Sequence, residues 1–197
     1  MKVLAQRIYV LFLPAVIVLG TAVLAHAFGS NEQTPEEKAG DVEKKAIAKY
    51  NDGVKAMEAG RSIAKKGDSA YAYNYRATSD AKARKKYEEA IGRFSEALAL
   101  KPSLAEADNN MGYCYRKLGK LDESLKAYDK ALTLKTDFAQ AHEYRGETYL
   151  ALGQLEKAQA DLSFLQQMKS AYADTLAKSI EVFQLEKIKV KALSGSK

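Results

Sequence analysis

The chain has 197 residues, and its 31 basic and 25 acidic side chains give a formal net charge of +6 at neutral pH. Lys and Glu are mixed along most of the chain instead of forming a cationic stripe, which argues against a nucleic-acid-binding protein. One cysteine excludes an internal disulfide, and one cysteine with two histidines is too small a set for a His/Cys metal site.

Residues 1–27 have the layout of a secretory signal peptide. Lys2 and Arg7 precede an apolar run over residues 8–24, and Ala25-His26-Ala27 ends the segment with a small-x-small pattern. We expect cleavage after Ala27 and export to the periplasm or the extracellular space. The alternative is that residues 8–24 stay uncleaved as a membrane anchor, although the run is slightly shorter than the roughly 20 residues that a span needs.

The next two segments differ in their helix signals. Residues 28–40, FGSNEQTPEEKAG, are polar and are predicted to be a flexible linker. Residues 41–60 carry small residues at Gly53, Ala56 and Gly60, a spacing that predicts a packed helix.

The helix of residues 41–60 is expected to form a hairpin with a second helix after residue 85. Residues 61–85, RSIAKKGDSAYAYNYRATSDAKARK, interrupt this first hairpin. Both ends favour helix and Gly67-Asp68-Ser69 breaks it, so we expect a lengthened hairpin whose arms project beyond the rest of the domain. Three tyrosines either close the small core of this hairpin or form an aromatic contact surface for a partner: Tyr71, Tyr73 and Tyr75.

A repeat of 34 residues organises the second half of the chain. GYCYRKLG at 112–119 and GETYLALG at 146–153 share their glycines and a tyrosine, Tyr115 in one and Tyr149 in the other. Apolar and small residues recur three or four apart, which predicts helices with one buried stripe. The small residues allow close helix contacts: Ala90, Ala97, Gly112, Ala131, Gly146 and Ala158.

The helix ends follow the same repeat. Gly119 and Gly153 stand where a left-handed turn ends a helix. Two capping-box patterns predict helix starts one unit apart: Ser103 with Glu106, and Asp137 with Gln140.

These residues resemble the tetratricopeptide repeat (TPR) family, whose unit has an apolar-Gly-x-x-Tyr core, then Ala-x-x-x-Phe and a closing Pro. Met111-Gly112-x-x-Tyr115 and Ala90-x-x-x-Phe94 with Pro102 carry the match. The resemblance implies an all-α, right-handed α-solenoid of about three helical hairpins. Its parts are unit 1 at 41–102, unit 2 at 103–136, unit 3 at 137–170, a capping helix at 171–190 and a frayed tail at 191–197, so the TPR domain covers 41–190.

Some positions depart from the family pattern. Asp108 and His142 stand where a bulky aromatic is usual, and Arg145 replaces an apolar residue. The closing proline is Thr136 in one unit and Ser170 in the next. These departures predict looser packing of the same architecture.

Cys114 and His142 are interpreted as packing residues. Cys114 lies between the buried Gly112 and Tyr115 on a packing helix, whereas a reactive thiol needs exposure and a stabilised thiolate. His142 occupies a family packing position. We find no nucleophile elbow, phosphate loop or His-Glu zinc helix, so we expect no enzyme, no cofactor and no metal.

The resemblance also implies a concave groove, lined by the first helix of each hairpin, that binds a peptide or a helix of a partner protein. The candidate groove residues lie off the predicted buried stripe: Asn51, Asn109, Asn110, Tyr113, Arg116, Lys117, Glu143, Tyr144 and Glu147. Asparagine amides suit a peptide backbone. The cations favour an acidic ligand segment, and the glutamates favour a basic one.

Some TPR proteins hold a C-terminal carboxylate through Lys, Asn and Arg side chains on three units. Only Asn110 fits that pattern here, and the other places hold different residues: Tyr50, Val54, Gln140 and Tyr144. The sequence therefore does not support the carboxylate mechanism. Two hypotheses remain open, namely an exported TPR adaptor and a constitutive structural subunit of a larger envelope assembly.

Overall fold

The computed structural model describes residues 33–64 and 77–194, and all regular secondary structure in these ranges is α-helical. Its helices are α1 (Pro35–Ala64), α2 (Ala81–Leu100), α3 (Ala105–Lys117), α4 (Leu121–Leu134), α5 (Ala139–Ala151), α6 (Leu155–Gln167) and α7 (Tyr172–Ser194). None of these helices has the length and hydropathy that a membrane span needs. The predicted signal segment and the three tyrosines of the insertion, Tyr71, Tyr73 and Tyr75, lie outside the described residues.

The chain divides into two compact units, and the boundary falls inside α1, between Val42 and Glu43. The described part of the first unit contains the start of α1. Thr34 Oγ1 accepts from the Glu37 backbone N–H at 3.2 Å, and a Glu37 carboxylate oxygen accepts from the Thr34 N–H at 2.7 Å. This reciprocal cap, with Pro35 at the first helical position, starts a helix where a flexible linker was predicted. The linker prediction is wrong from Pro35 onward.

The second unit, from Glu43 onward, is a stack of helical hairpins. α3 packs on α4 and α5 on α6, while α2 contacts α3 and α4 contacts α5. α7, which contains the predicted capping helix 171–190 from Tyr172 onward, lies against both α5 and α6. The predicted α-solenoid is confirmed. α7 continues to Ser194, so the prediction of a frayed tail is wrong for residues 191–194.

Glycines of the first helices make the closest helix contacts. A Cβ at Gly53 would lie 2.6 Å from the Phe94 ring, and one at Gly112 would lie 2.6 Å from the Tyr128 ring. A Cβ at Gly60 would lie 2.9 Å from the Tyr87 ring. Ala90, Ala97, Ala131 and Ala158 are fully buried, as the pattern of small residues predicted. The first two hairpins therefore close where a ring packs onto bare backbone.

Three helices end with the same left-handed turn. The Lys120 N–H donates to the Tyr115 carbonyl at 2.9 Å, and the Gln154 N–H donates to the Tyr149 carbonyl at 2.8 Å. These bonds close around Gly119 and Gly153, whose φ angles are +80° and +74°. Tyr115 and Tyr149 thus hold equivalent places on neighbouring hairpins. The third turn follows α6 and uses Lys169 at φ +52°.

The two predicted capping boxes are wrong. α3 begins after Leu104 and α5 after Phe138, and neither helix has a side-chain cap bond. Leu104 and Phe138 are apolar and pack against core clusters. Burying these side chains at the helix start takes the place of the polar caps that Ser103 and Asp137 would have supplied.

The insertion is helical at both described ends. α1 runs four residues past Gly60, to Ala64, and α2 begins at Ala81, where Asp80 accepts from the Ala83 N–H at 2.9 Å. The Thr78 N–H donates to the Lys117 carbonyl at 2.9 Å, which places the chain before α2 against the end of α3.

Polar contacts explain two departures from the repeat pattern. The His142 ring stacks on Phe164 with centroids 4.1 Å apart, and its Nδ1 lies 2.8 Å from an Asp161 oxygen. Arg145 bonds Asp161 at 2.7 Å and Asp129 at 2.8 Å. His142 is therefore buried packing, as interpreted, and Asp161 of α6 is its matching partner.

Gly112→Ala should lower the free energy of unfolding by about 1–3 kcal/mol, because the added methyl group overlaps the immobile Tyr128 ring. The matched control is Gly92→Ala in the interior of α2, where a Cβ meets nothing within 4 Å. That control should gain about 0.5–1 kcal/mol from helix propensity. Urea unfolding measures both, and equal effects would contradict the close contact.

Lys169→Gly should raise the free energy of unfolding by about 0.5–1 kcal/mol, because a left-handed turn strains any residue with a Cβ. Gly153→Ala places a Cβ at the equivalent turn, in open space, and should lower it by about 1 kcal/mol. Thermal unfolding followed by circular dichroism measures both changes in stability, which should have opposite signs. If both substitutions stabilise or both destabilise the protein, the two turns are not equivalent.

Candidate functional site

Most of the predicted groove residues lie together on the face shared by the first helices α1, α3 and α5, and most of the set is buried. Asn51 is exposed and Tyr144 is half-buried. The prediction that the set lies off the buried stripe is wrong for seven residues: Asn109, Asn110, Tyr113, Arg116, Lys117, Glu143 and Glu147. The first helices approach closely enough to remove water from this face, so its polar groups must find partners in the protein.

Amide and phenol groups connect the three first helices. Asn110 Nδ2 donates to the Tyr50 hydroxyl at 3.2 Å, and Asn109 Nδ2 donates to Gln140 Oε1 at 3.2 Å. Gln140 Nε2 in turn donates to the Tyr144 hydroxyl at 3.3 Å. We call these five residues, together with Arg61, Tyr113, Arg116, Glu143 and Glu147, the inner-face network.

Arg61 joins this network from the end of α1. Its Nε donates to the Tyr113 hydroxyl and its Nη2 to the Tyr144 hydroxyl, each at 3.2 Å, and its Nη1 lies 3.2 Å from a Glu58 oxygen. Sequence reasoning placed Arg61 in the insertion and missed its role. The available signal was its place directly after Gly60, on a helix that had no reason to stop there.

Arg116 and Glu147 form a buried ion pair between α3 and α5. Arg116 Nη2 lies 2.8 Å from Glu147 Oε2, and the two side chains are 1% and 2% exposed. Ser179 of α7 donates to the other Glu147 oxygen at 3.3 Å. The Arg116 guanidinium also lies 5.3 Å from the Tyr113 ring centre and 5.5 Å from that of Tyr144. Each charge therefore already has a counter-charge inside the protein.

Glu143 is the exception in the network. It is 5% exposed, yet its carboxylate accepts no hydrogen bond and forms no salt bridge with any residue that the structure describes. Burial, and then the neighbouring Glu147, raise the pKa of Glu143 to about 8, while Arg116 and Arg61 oppose the rise. Burial raises the pKa of Glu147 as well, and Arg116 opposes this. Glu143 is thus a carboxyl group without a cation.

The Cys114 thiol and possible metal ligands are the other groups that could carry chemistry. Cys114 is fully buried, and burial raises the pKa of its thiol far above the ordinary value, so it fits the predicted packing role. Within residues 33–64 and 77–194, no three His, Cys, Asp or Glu side chains come together as metal ligands.

The unit that begins at Glu43 also contains a mainly apolar cavity of about 450 Å³. It lies between the α3–α4 turn, the end of α5 and α7. Leu121, Leu150, Phe183 and Val190 are among its lining residues, and Glu186 and Lys187 supply the charges. Beyond it, the end of α7 carries exposed apolar side chains.

The family model described as TPR repeat matches residues 112–153. No curated protein matches the chain. Three of the similar solved structures are TPR domains of RPAP3 proteins. The first TPR domain of the human RPAP3 protein is 20% identical, covering 71% of this chain and 98% of that one, with a TM-score of 0.49.

The other two structures were solved with peptides. The first TPR of Spaghetti (RPAP3), bound to the HSP90 peptide SRMEEVD, is 21% identical over 68% of this chain and 94% of that one, with a TM-score of 0.46. The second TPR domain of the human RPAP3 protein, in complex with the HSP70 peptide SGPTIEEVD, is 21% identical over 68% of this chain and 98% of that one, with a TM-score of 0.47.

The unpaired Glu143 predicts a specific pH dependence. Because its folded-state pKa is raised from 4.5 to about 8, its contribution to stability is present below pH 4.5 and is lost as pH rises through 8. Glu143→Gln cannot titrate. Relative to the parent protein, its free energy of unfolding should therefore rise by about 1–4 kcal/mol between pH 5 and pH 9.

Urea unfolding at each pH measures this difference. The control Glu156→Gln changes an exposed glutamate on α6 and should follow the parent curve. If Glu143→Gln also follows the parent curve, Glu143 is charged in the native protein and has a partner.

Proposed function

We propose that this protein is an adaptor whose inner face binds a peptide or a helix of a partner protein. The observation that carries the proposal is the inner-face network itself. The first helices of successive hairpins point polar side chains at one shared surface. There the Asn109 Oδ1 accepts no hydrogen bond, the Arg116 Nε and Nη1 donate none, and the 5% exposed Glu143 has no hydrogen bond or ion pair with a described residue. Buried acceptors without partners are costly unless a ligand supplies donors.

Recognition of an acidic C-terminal tail is not part of the proposal. The Lys, Asn and Arg places that such recognition uses, apart from Asn110, hold Tyr50, Val54, Gln140 and Tyr144, and the structure uses three of these for internal hydrogen bonds. Arg116 already has Glu147 as a counter-ion. A ligand carboxylate would therefore compete with the protein for its own cations.

Export is the second part of the proposal. Its support is the arrangement of Lys2, Arg7, the apolar run 8–24 and Ala25-His26-Ala27. We propose that the mature protein begins at Phe28 and works in the periplasm or outside the cell. The alternative places it at a membrane, held by uncleaved residues 8–24.

A structural subunit is the competing function, and the end of α7 favours it. Leu185, Ile188, Val190 and Leu193 are 50%, 63%, 67% and 73% exposed. Apolar side chains concentrated at one helix end are typical of a protein contact. The apolar cavity beside Val190 extends the same region. In this reading, α7 is buried permanently in a larger assembly.

N-terminal sequencing of the protein from the envelope fraction tests export. We expect Phe28 as the first residue, because the signal peptidase recognises small residues at the positions of Ala25 and Ala27. Ala27→Asp should leave the precursor uncut. A mature chain that keeps Met1 and stays with the membrane would support the anchor and exclude cleavage.

Site-specific photo-crosslinking separates the two functions without disturbing the buried network. A photoreactive amino acid replaces Asn51, which is exposed and directly follows Tyr50 of the inner-face network, or Ile188, which is exposed on α7. Glu123 on the outer helix α4 is the control position. The adaptor predicts a partner crosslink from position 51 and none from 123.

Mass spectrometry of the crosslinked products gives the outcome. Crosslinks from 188 alone would favour the structural subunit. No product from 51, or the same products from 51 and 123, would refute a partner on the inner face.

A further inference from the structure

We infer that the inner face recognises a basic side chain, a Lys or an Arg, of its peptide ligand through Glu143 of α5. This inference rests on the proposed peptide-binding function and names the chemistry that the site selects. The ligand class differs from an acidic peptide, for which the arginines of the same face would be needed.

One charged residue of the inner-face network, Glu143, has no ion-pair partner among the described residues. Arg116 is paired with Glu147, which a second hydrogen bond from Ser179 holds in place. Arg61 is paired with Glu58 and donates to two tyrosine hydroxyls. No described residue pairs with Glu143. A cation from outside would pair with Glu143. The Arg116 Nε and Nη1 also lack hydrogen-bond partners, but they are closed to solvent, so an anion could reach them only by disturbing the pair with Glu147.

Glu143 and Asn109 are equivalent residues of neighbouring hairpins, 34 positions apart in the repeat. Asn109 is 1% exposed, and its amide nitrogen donates to Gln140 and Asn110, which leaves its Oδ1 without a donor. This Oδ1 is closed to solvent, whereas the Glu143 carboxylate oxygens are not among the fully buried unpartnered atoms, so Glu143 is the acceptor that a ligand can reach. A Lys ammonium has three donors and an Arg guanidinium has five, so either can bind this carboxylate.

Half-buried residues lie within one turn of Glu143 on α5, namely Ala139, Gln140, Tyr144 and Arg145. A long basic side chain suits this geometry because its apolar stem can lie along Tyr144 while its charged end reaches the carboxylate.

Electrostatics favours the same ligand. Three charged groups act on Glu143: Glu147 of the same helix raises its pKa, while Arg116 of α3 and Arg61 of α1 lower it. Since the two arginines do not offset burial and Glu147, the carboxyl group gains most from a further positive charge close by.

The test begins with an unbiased peptide selection. Phage-displayed random twelve-residue peptides are selected against the full 197-residue chain, and the most enriched peptide is synthesised in two forms. One form keeps its Lys and Arg residues and the other replaces them with glutamine. Affinities of both are measured by fluorescence anisotropy for the parent protein, Glu143→Gln and the exposed control Glu156→Gln.

We expect Lys and Arg to be enriched over the starting library. Loss of the basic residues should weaken binding at least tenfold for the parent and for Glu156→Gln, and less than twofold for Glu143→Gln. The peptide-side change keeps the test valid if the variant folds poorly. Enrichment of Asp and Glu would overturn the inference and leave peptide binding intact.

Two other outcomes also count against the inference. Equal tenfold losses in all three proteins would show that the basic residue binds elsewhere. Selection of no peptide would overturn the inference, and the crosslink from position 51 then decides separately whether the inner face binds a folded partner.

Discussion

The direct packing of an aromatic ring onto a glycine determines how closely the two helices of a hairpin lie. In the first two hairpins this contact pairs Gly53 with Phe94 and Gly112 with Tyr128. Gly146 differs, because Leu176 of α7 fills the space instead. The capping helix thereby takes over the contact that a second helix makes elsewhere. Without this spacing the successive first helices would not share one face.

Close packing of the first helices has an electrostatic consequence. Their polar side chains lose water and must satisfy each other, which is why Arg116 and Glu147 pair at 2.8 Å while almost fully buried. A buried pair of this kind contributes little net stability, but removing one partner costs about 3–5 kcal/mol. The pair therefore holds α3 and α5 in one register more than it strengthens the fold. Ser179 extends the same constraint to α7.

On the proposed peptide-binding function, the same network limits the ligands of the inner face. A face with free arginines would attract acidic peptides, and a face with free glutamates would attract basic ones. Here the arginines are occupied by Glu147 and Glu58, and Glu143 remains. Selectivity between acidic and basic peptides then depends on which charged residue has no partner in the protein. It does not depend on the number of charged residues on the face.

Local patterns in the sequence determined the all-helical architecture, the left-handed turns at Gly119 and Gly153, and the packing role of Cys114, because glycine conformation and apolar spacing act over a few residues. The cap at Thr34 was equally local, since Thr-Pro-Glu-Glu is a helix-start pattern, and sequence reasoning overlooked it. The caps at Ser103 and Asp137 failed because Leu104 and Phe138 gain more from core burial.

Only the tertiary structure decided which inner-face residues are buried, which charges are paired and which one is left over. Arg61 reaches Tyr113 and Tyr144 across 52 and 83 residues of sequence, and Glu143 lacks a partner because Arg116 pairs with Glu147 instead. Electrostatic pairing depends on distances between helices, which repeat spacing alone does not contain. The sequence therefore determined which helices form the inner face, and the packing of these helices determined which of its charged residues has no partner.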